Sequence, residues 1–152
     1  MPSAKIESAF WDTSGIALLC THQPKTGDAR RIALRCRRMV MWWGAPVEAK
    51  SAFFRLFRQH ELTQIGLTQA SARLAKLRQS MDEIQPTQEV RELADSMLER
   101  HALRAADAFQ LAAALVLCHE HPRGRLFVCF DRRLLEAADR CGFSVLPTPS
   151  GL

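Results

Sequence analysis

The chain has 152 residues, 47% hydrophobic and 24% charged, which suits one domain with a buried core and excludes a disordered chain. The formal net charge is +5 and the sequence pI about 9.3, so a nucleic acid or an acidic protein is a natural partner. No apolar run suits a membrane helix, the first ten residues carry no signal-peptide core, and five cysteines without a CxxC pair argue against disulfides or a cysteine-rich zinc site, so a single cytoplasmic domain is expected.

Ile6 to Trp11 reads as a first strand that ends at Asp12, where Asp12-Thr13-Ser14-Gly15 breaks the apolar run. Ile16 to Cys20 starts a short helix or turn, and His22 to Gly27 is a loop containing Pro24 and Gly27. Asp28 can cap a helix running to about Arg38. Its arginines, Arg30, Arg31, Arg35, Arg37 and Arg38, read either as a solvated face or as a surface for phosphate. Met39 to Trp43 is a second strand; adjacent strand residues point oppositely, so one of Trp42 and Trp43 is expected to be buried. Pro46 opens a helix carrying Glu48 in its first turn and Phe53, Phe54, Leu56 and Phe57 further on.

Gly66 interrupts the pattern, and Thr68 or Gln69 to Met81 is another amphipathic helix. Asp82 to Gln85 supplies a very short third strand, and Pro86 starts a helix to about His101. Ala102 to Cys118, ALRAADAFQLAAALVLC, then reads as one nearly apolar helix. Its polar residues Arg104, Asp107 and Gln110 fall three apart, in one stripe. His119 and His121 read as a solvated helix end. Leu126 to Phe130 is the clearest strand and ends at Asp131; Arg132 to Cys141 is a helix stopped by Gly142; Phe143 to Leu146 is a last strand. The alternation predicts a three-layer α/β/α sandwich with a mostly parallel sheet of four or five strands, one domain over residues 1–147, and a short frayed tail at 148–152.

In such a sheet, ligands bind at the carboxyl ends of the strands. Four acids map to that edge. Asp12 ends the first strand, Glu48 opens the helix after the second, Asp107 lies in the second turn of the apolar helix, and Asp131 ends the fourth strand. Singly, each has an ordinary explanation as a helix cap or a dipole partner. Together they repel one another and call for a cation, and oxygen donors without His or Cys suit Mg²⁺ or Mn²⁺. One or two such ions support phosphodiester hydrolysis, and the positive surface suits a polyanionic substrate. Thr13 and Ser14 are candidates to bind phosphate or a water on the metal. Arg104 is a candidate at the mouth to contact phosphate or pair with a neighbouring acid, and Gln110 is expected to satisfy a buried backbone group. There is no GxGxxG, P-loop or GxSxG. A haloacid-dehalogenase-type site would need a second Asp where Ser14 stands.

The segments FWDTSGI, APVEAKSAFFRL, LRAADAFQLAAAL and LFVCFDRRLLEAADRCGFSVL occur in the order seen in PIN-domain proteins. From about Phe10 to Leu146 the chain resembles the VapC-type ribonuclease toxins of bacterial toxin–antitoxin modules. The last two segments are quite specific; the first two are short. The four acids of the family pattern fall on Asp12, Glu48, Asp107 and Asp131. The resemblance implies a PIN fold, Mg²⁺ or Mn²⁺ dependence and endoribonuclease activity on RNA. It also implies a cognate antitoxin that covers the site, and a homodimer. Asp12, Asp107 and Asp131 would be the main metal ligands, with Glu48 completing the site or orienting water.

Two features depart from the pattern, one being a first strand less apolar than usual. The residue two before the fourth Asp is usually Ser or Thr, and here it is Cys129, whose thiol is a poor partner for water on a hard metal. That departure is the one feature favouring an alternative, a catalytically inactive PIN-like module that binds RNA or protein. A hydrolase of DNA or of other phosphate esters is a third possibility.

Overall fold

A computed structural model describes residues 4–152. The first three residues of the expected 1–147 domain, and of the segment expected to lack a signal peptide, lie outside the described residues. The elements alternate as the apolar patterning predicts: β1 (Ile6–Trp11), α1 (Thr13–Cys20), α2 (Thr26–Arg35), β2 (Cys36–Trp42), α3 (Ala45–Arg58), α4 (Gln64–Ser80), β3 (Asp82–Ile84), α5 (Gln88–Arg100), α6 (Ala105–Leu117), β4 (Leu126–Val128), α7 (Arg132–Cys141) and β5 (Ser144–Leu146). The sheet order is β3-β2-β1-β4-β5, and every neighbouring pair is parallel.

Helices cover both faces, so residues pointing to either side of the sheet's centre are buried, and Ala9, Phe10 and Trp11 of central β1 are all in the core. On the helical layers, α1 packs with α2, α3 and α4, while α6 packs with α5 and α7 and lies against β2 and β3. Trp42 ends β2 and is 6% exposed, while Trp43 lies in the turn beyond the strand, not in it as expected, and is 49% exposed. Trp42 stacks on Phe109 of α6 with ring centroids 5.5 Å apart. No helix among the described residues is long and apolar enough to cross a membrane.

Several boundaries differ from the sequence reading. Helix α2 begins at Thr26, so Asp28 sits in its first turn and the N-cap position is Lys25. It ends at Arg35, so Arg37 and Arg38 belong to strand β2 and do not continue a helical face. These two arginines pair with Glu7 at 3.6 Å and Asp82 at 2.5 Å, and Arg31 pairs with Asp28. Helix α4 includes Gly66, because the Thr63 hydroxyl caps it by accepting the Gly66 N–H at 3.0 Å. Thr87, not Pro86, caps α5. Helix α6 begins at Ala105, three residues later than expected, and β4 ends at Val128. Pro149–Gly151 forms a single 3₁₀ turn and is not frayed: Lys25 Nζ donates to the Gly151 carbonyl at 3.0 Å and Arg132 to that of Leu152 at 2.8 Å.

Candidate active site

From β1 the sheet grows outward in both directions, to β2 and β3 on one side and to β4 and β5 on the other. The connections leaving β1 and β4 therefore diverge, which opens a crevice at the carboxyl edge. A cleft of about 470 Å³ lies there, and Asp12, Glu48, Asp107 and Asp131 all line it, together with Thr13, Ser14 and Gln110. Arg104 does not line it; it is exposed at the N-cap position of α6.

Asp12 sits on the cleft floor, only 4% exposed. Its backbone N–H continues the ladder to Val128 O at 3.0 Å, and its Oδ1 caps α1 by accepting the Gly15 N–H at 3.3 Å. Ser14 Oγ donates to the same oxygen at 2.6 Å and accepts the Phe130 N–H at 2.8 Å. One hydroxyl thus ties the end of β1 to the segment leaving β4. Burial pushes the Asp12 carboxyl up to about 6, and the Ser14 and Gly15 hydrogen bonds offset only part of that rise.

Glu48 is held from two other elements. Thr13 Oγ1 donates to its Oε2 at 2.6 Å, and Gln110 Nε2 donates to the same oxygen at 2.9 Å and to Thr13 Oγ1 at 2.7 Å. Gln110 therefore does not serve a backbone group, as the sequence reading expects. It is 2% exposed and locks a side-chain triangle joining α1, α3 and α6. The three-residue spacing from Asp107 puts it on the cleft face, which is the signal that could have revealed this role. Its Oε1 is buried without a partner. Gln110→Leu accordingly removes both a donor to a carboxylate and an unsatisfied acceptor. The two effects offset, so stability in urea changes by less than about 1 kcal/mol, although Glu48 loses one of its two donors.

Asp107 occupies the first turn of α6, not the second, and Asp131 is the N-cap of α7, accepting the Leu134 N–H at 3.0 Å. Burial raises the Asp107 carboxyl first, and the Asp131 charge raises it further; the Arg104 backbone and charge and that of Arg133 pull the other way. None of the four cleft acids forms an ion pair among the described residues. No three His, Cys, Asp or Glu side chains among those residues close into a ready ligand cage. The donor set is nonetheless carboxylate oxygen alone, with one acid raised to about 6 and another raised partly by its neighbour, which is the electrostatic state a bound cation relieves.

No family model matches the chain. Ribonuclease VapC45 of Mycobacterium tuberculosis is 28% identical to it over 138 residues, 91% of this chain and 94% of the relative. Among solved structures, Mycobacterium tuberculosis VapC20, a Sarcin-Ricin loop cleaving toxin, matches with a TM-score of 0.63 at 22% identity, over 90% of this chain and 96% of that one. The chain is similar to VapC ribonucleases and has a PIN-like fold. A toxin–antitoxin complex from Klebsiella pneumoniae shares the fold with a TM-score of 0.58 at 13% identity, over 82% of this chain and 88% of that one.

Within this PIN-like fold, Cys129 is fully buried behind the cleft and takes over the turn that a hydroxyl would make. Its Sγ accepts the Asp131 N–H at 3.4 Å and donates to the Asp131 carbonyl at 3.3 Å. Burial, reinforced by the Asp12 charge, pushes the thiol far up, so it is neutral. Cys129 thus shapes the approach to Asp131 without lining the cleft. The arginine run of α2 and β2 does not line it either.

Proposed function

We propose that the chain is a Mg²⁺- or Mn²⁺-dependent endoribonuclease, the toxin of a toxin–antitoxin module. The observation that carries this reading is the convergence of four unpaired carboxylates from four elements on one cleft at the sheet's carboxyl edge. The ribonuclease name of VapC45 supplies the substrate class.

Asp12, Asp107 and Asp131 would hold the metal, with Glu48 completing the set. The ion, when bound, supplies the positive charge that lowers the cost of activating water and of releasing the leaving oxygen. Every hydrogen bond to Glu48 falls on Oε2, so Oε1 remains free to orient the attacking water and accept its proton. The buried floor keeps Asp12 in one rotamer, since Ser14 and the Gly15 N–H both hold Oδ1. Water adds at phosphorus and the bond to the 3′ oxygen breaks, leaving 3′-hydroxyl and 5′-phosphate ends. The same reading includes a homodimer and an antitoxin that covers the cleft, as the Klebsiella pneumoniae neighbour is a toxin–antitoxin complex.

The test is cleavage of total RNA by purified protein stripped of metal with EDTA. Cleavage is expected to stop on stripping and return with Mg²⁺ or Mn²⁺. Undiminished cleavage in EDTA overturns the metal assignment, and no cleavage under any metal overturns the enzyme.

A further inference from the structure

The cleft that holds the acids also holds two cations, Lys25 at the start of α2 and Arg55 in the last turn of α3. Neither forms an ion pair among the described residues, although four carboxylates line the same cleft. Arg55 follows Glu48 by seven residues on one helix, which sets the two about 10 Å apart on the same face. Lys25 is held by its bond to the Gly151 carbonyl at 3.0 Å, which leaves two of its three N–H donors for a ligand. If these cations served to neutralise the acids, they would be paired with them. They are held apart instead, so the cleft is polarised into an acidic part and a basic part. Leu18, Pro24 and Leu56 give it apolar surface as well.

Resting on the endoribonuclease reading, we propose that Lys25 and Arg55 form a phosphate subsite for an unpaired RNA strand. They hold a backbone phosphate neighbouring the one that reacts at the carboxylates, while a base rests on Leu18, Pro24 and Leu56. An unpaired strand is required because Asp12 lies 4% exposed on the floor of a cleft of only about 470 Å³. A duplex is too wide to bring its phosphate there, whereas a single strand can be splayed with its base against apolar side chains.

The experiment measures binding of a short fluorescent single-stranded RNA to the intact chain carrying Asp12→Asn, with Lys25→Gln or Arg55→Gln added. Each added substitution is expected to weaken binding about tenfold and to lower the salt slope by about 0.7, the release of one counterion from a single strand. In the otherwise native chain each raises KM and leaves kcat near its original value, and Arg55→Lys recovers most of the binding. Lys76→Gln, exposed on α4 away from the cleft, leaves binding unchanged. Unchanged affinity and salt slope in both cleft variants overturns the subsite while leaving metal-dependent cleavage standing. Equal competition by a duplex of the same sequence overturns the choice of an unpaired strand. Absence of metal-dependent cleavage by the native chain removes the enzyme reading and the subsite with it.

Discussion

Asp12→Asn is expected to abolish RNA cleavage and at the same time raise the melting temperature of the metal-free protein. The side chain is buried, and burial lifts its carboxyl from 3.8 to about 6, so the folded state holds the proton more tightly than the unfolded chain does. The stability contributed by the neutral acid is therefore complete below about pH 4 and is lost as pH rises through about 6. Holding the proton that much more tightly is worth about 3 kcal/mol. Asparagine stays neutral throughout, and its amide oxygen can still accept from Gly15 and Ser14 and cap α1. At pH 7.5 the gain for a chain of this size is roughly 6–12 °C, read by thermal unfolding in EDTA. Mg²⁺ narrows the gap, because it stabilises only the form that binds it. A lower melting point for the variant would show that Asp12 is structural and sink this account. The expected result follows a general pattern in which a charged site is maintained at the expense of fold stability.

Phe127→Ala is expected to destabilise the protein by about 4 kcal/mol, the middle of the range for a buried ring. Phe127 is fully buried in interior strand β4. It stacks on Phe10 of β1 at 5.3 Å and lies against Phe143 at 5.5 Å, so its loss removes contacts on two sides and leaves a cavity. Strand β4 is only three residues long and leads directly into Cys129 and Asp131, so the damage reaches the cleft. Urea unfolding checks the stability, and cleavage by the folded fraction is expected to fall as well. Phe127→Leu, which keeps much of the volume, costs well under half as much. A cost below about 1.5 kcal/mol for the alanine variant would mean that the aromatic cluster does not hold the strand in place.

Element type was legible wherever the apolar period was strong. Leu126 to Val128, Ile6 to Trp11 and the near-continuous apolar face of α6 could be read directly, because burial on both sides leaves few polar residues to blur the pattern. Boundaries were less legible. Ala102, Leu103 and Arg104 are ordinary helix formers, yet the chain must turn there for α5 and α6 to pack against each other, and no capping side chain announces the turn. At Gly66 the reverse applies: the glycine suggests a break, but Thr63 caps the helix three residues before it. Gln110 was undervalued because a neutral amide in an apolar helix suits either a backbone partner or a side-chain partner, and its contacts lie 62 and 97 residues away in sequence.

By itself the sequence determined the alternation of strands and helices, the excess of positive charge, and the four acids that end strands or open helices at one edge. Those follow from local periodicity and from where polar residues interrupt it. Only the tertiary structure decided that β1 sits between β2 and β4, so that Asp12, Glu48, Asp107 and Asp131 line one cleft. It also decided that Arg104 lies outside that cleft while Lys25 and Arg55 line it, and that the crowded arginines of α2 and β2 do not. The physical reason is that side-chain direction and burial depend on how distant elements pack. Charge count and spacing along the chain do not carry that information.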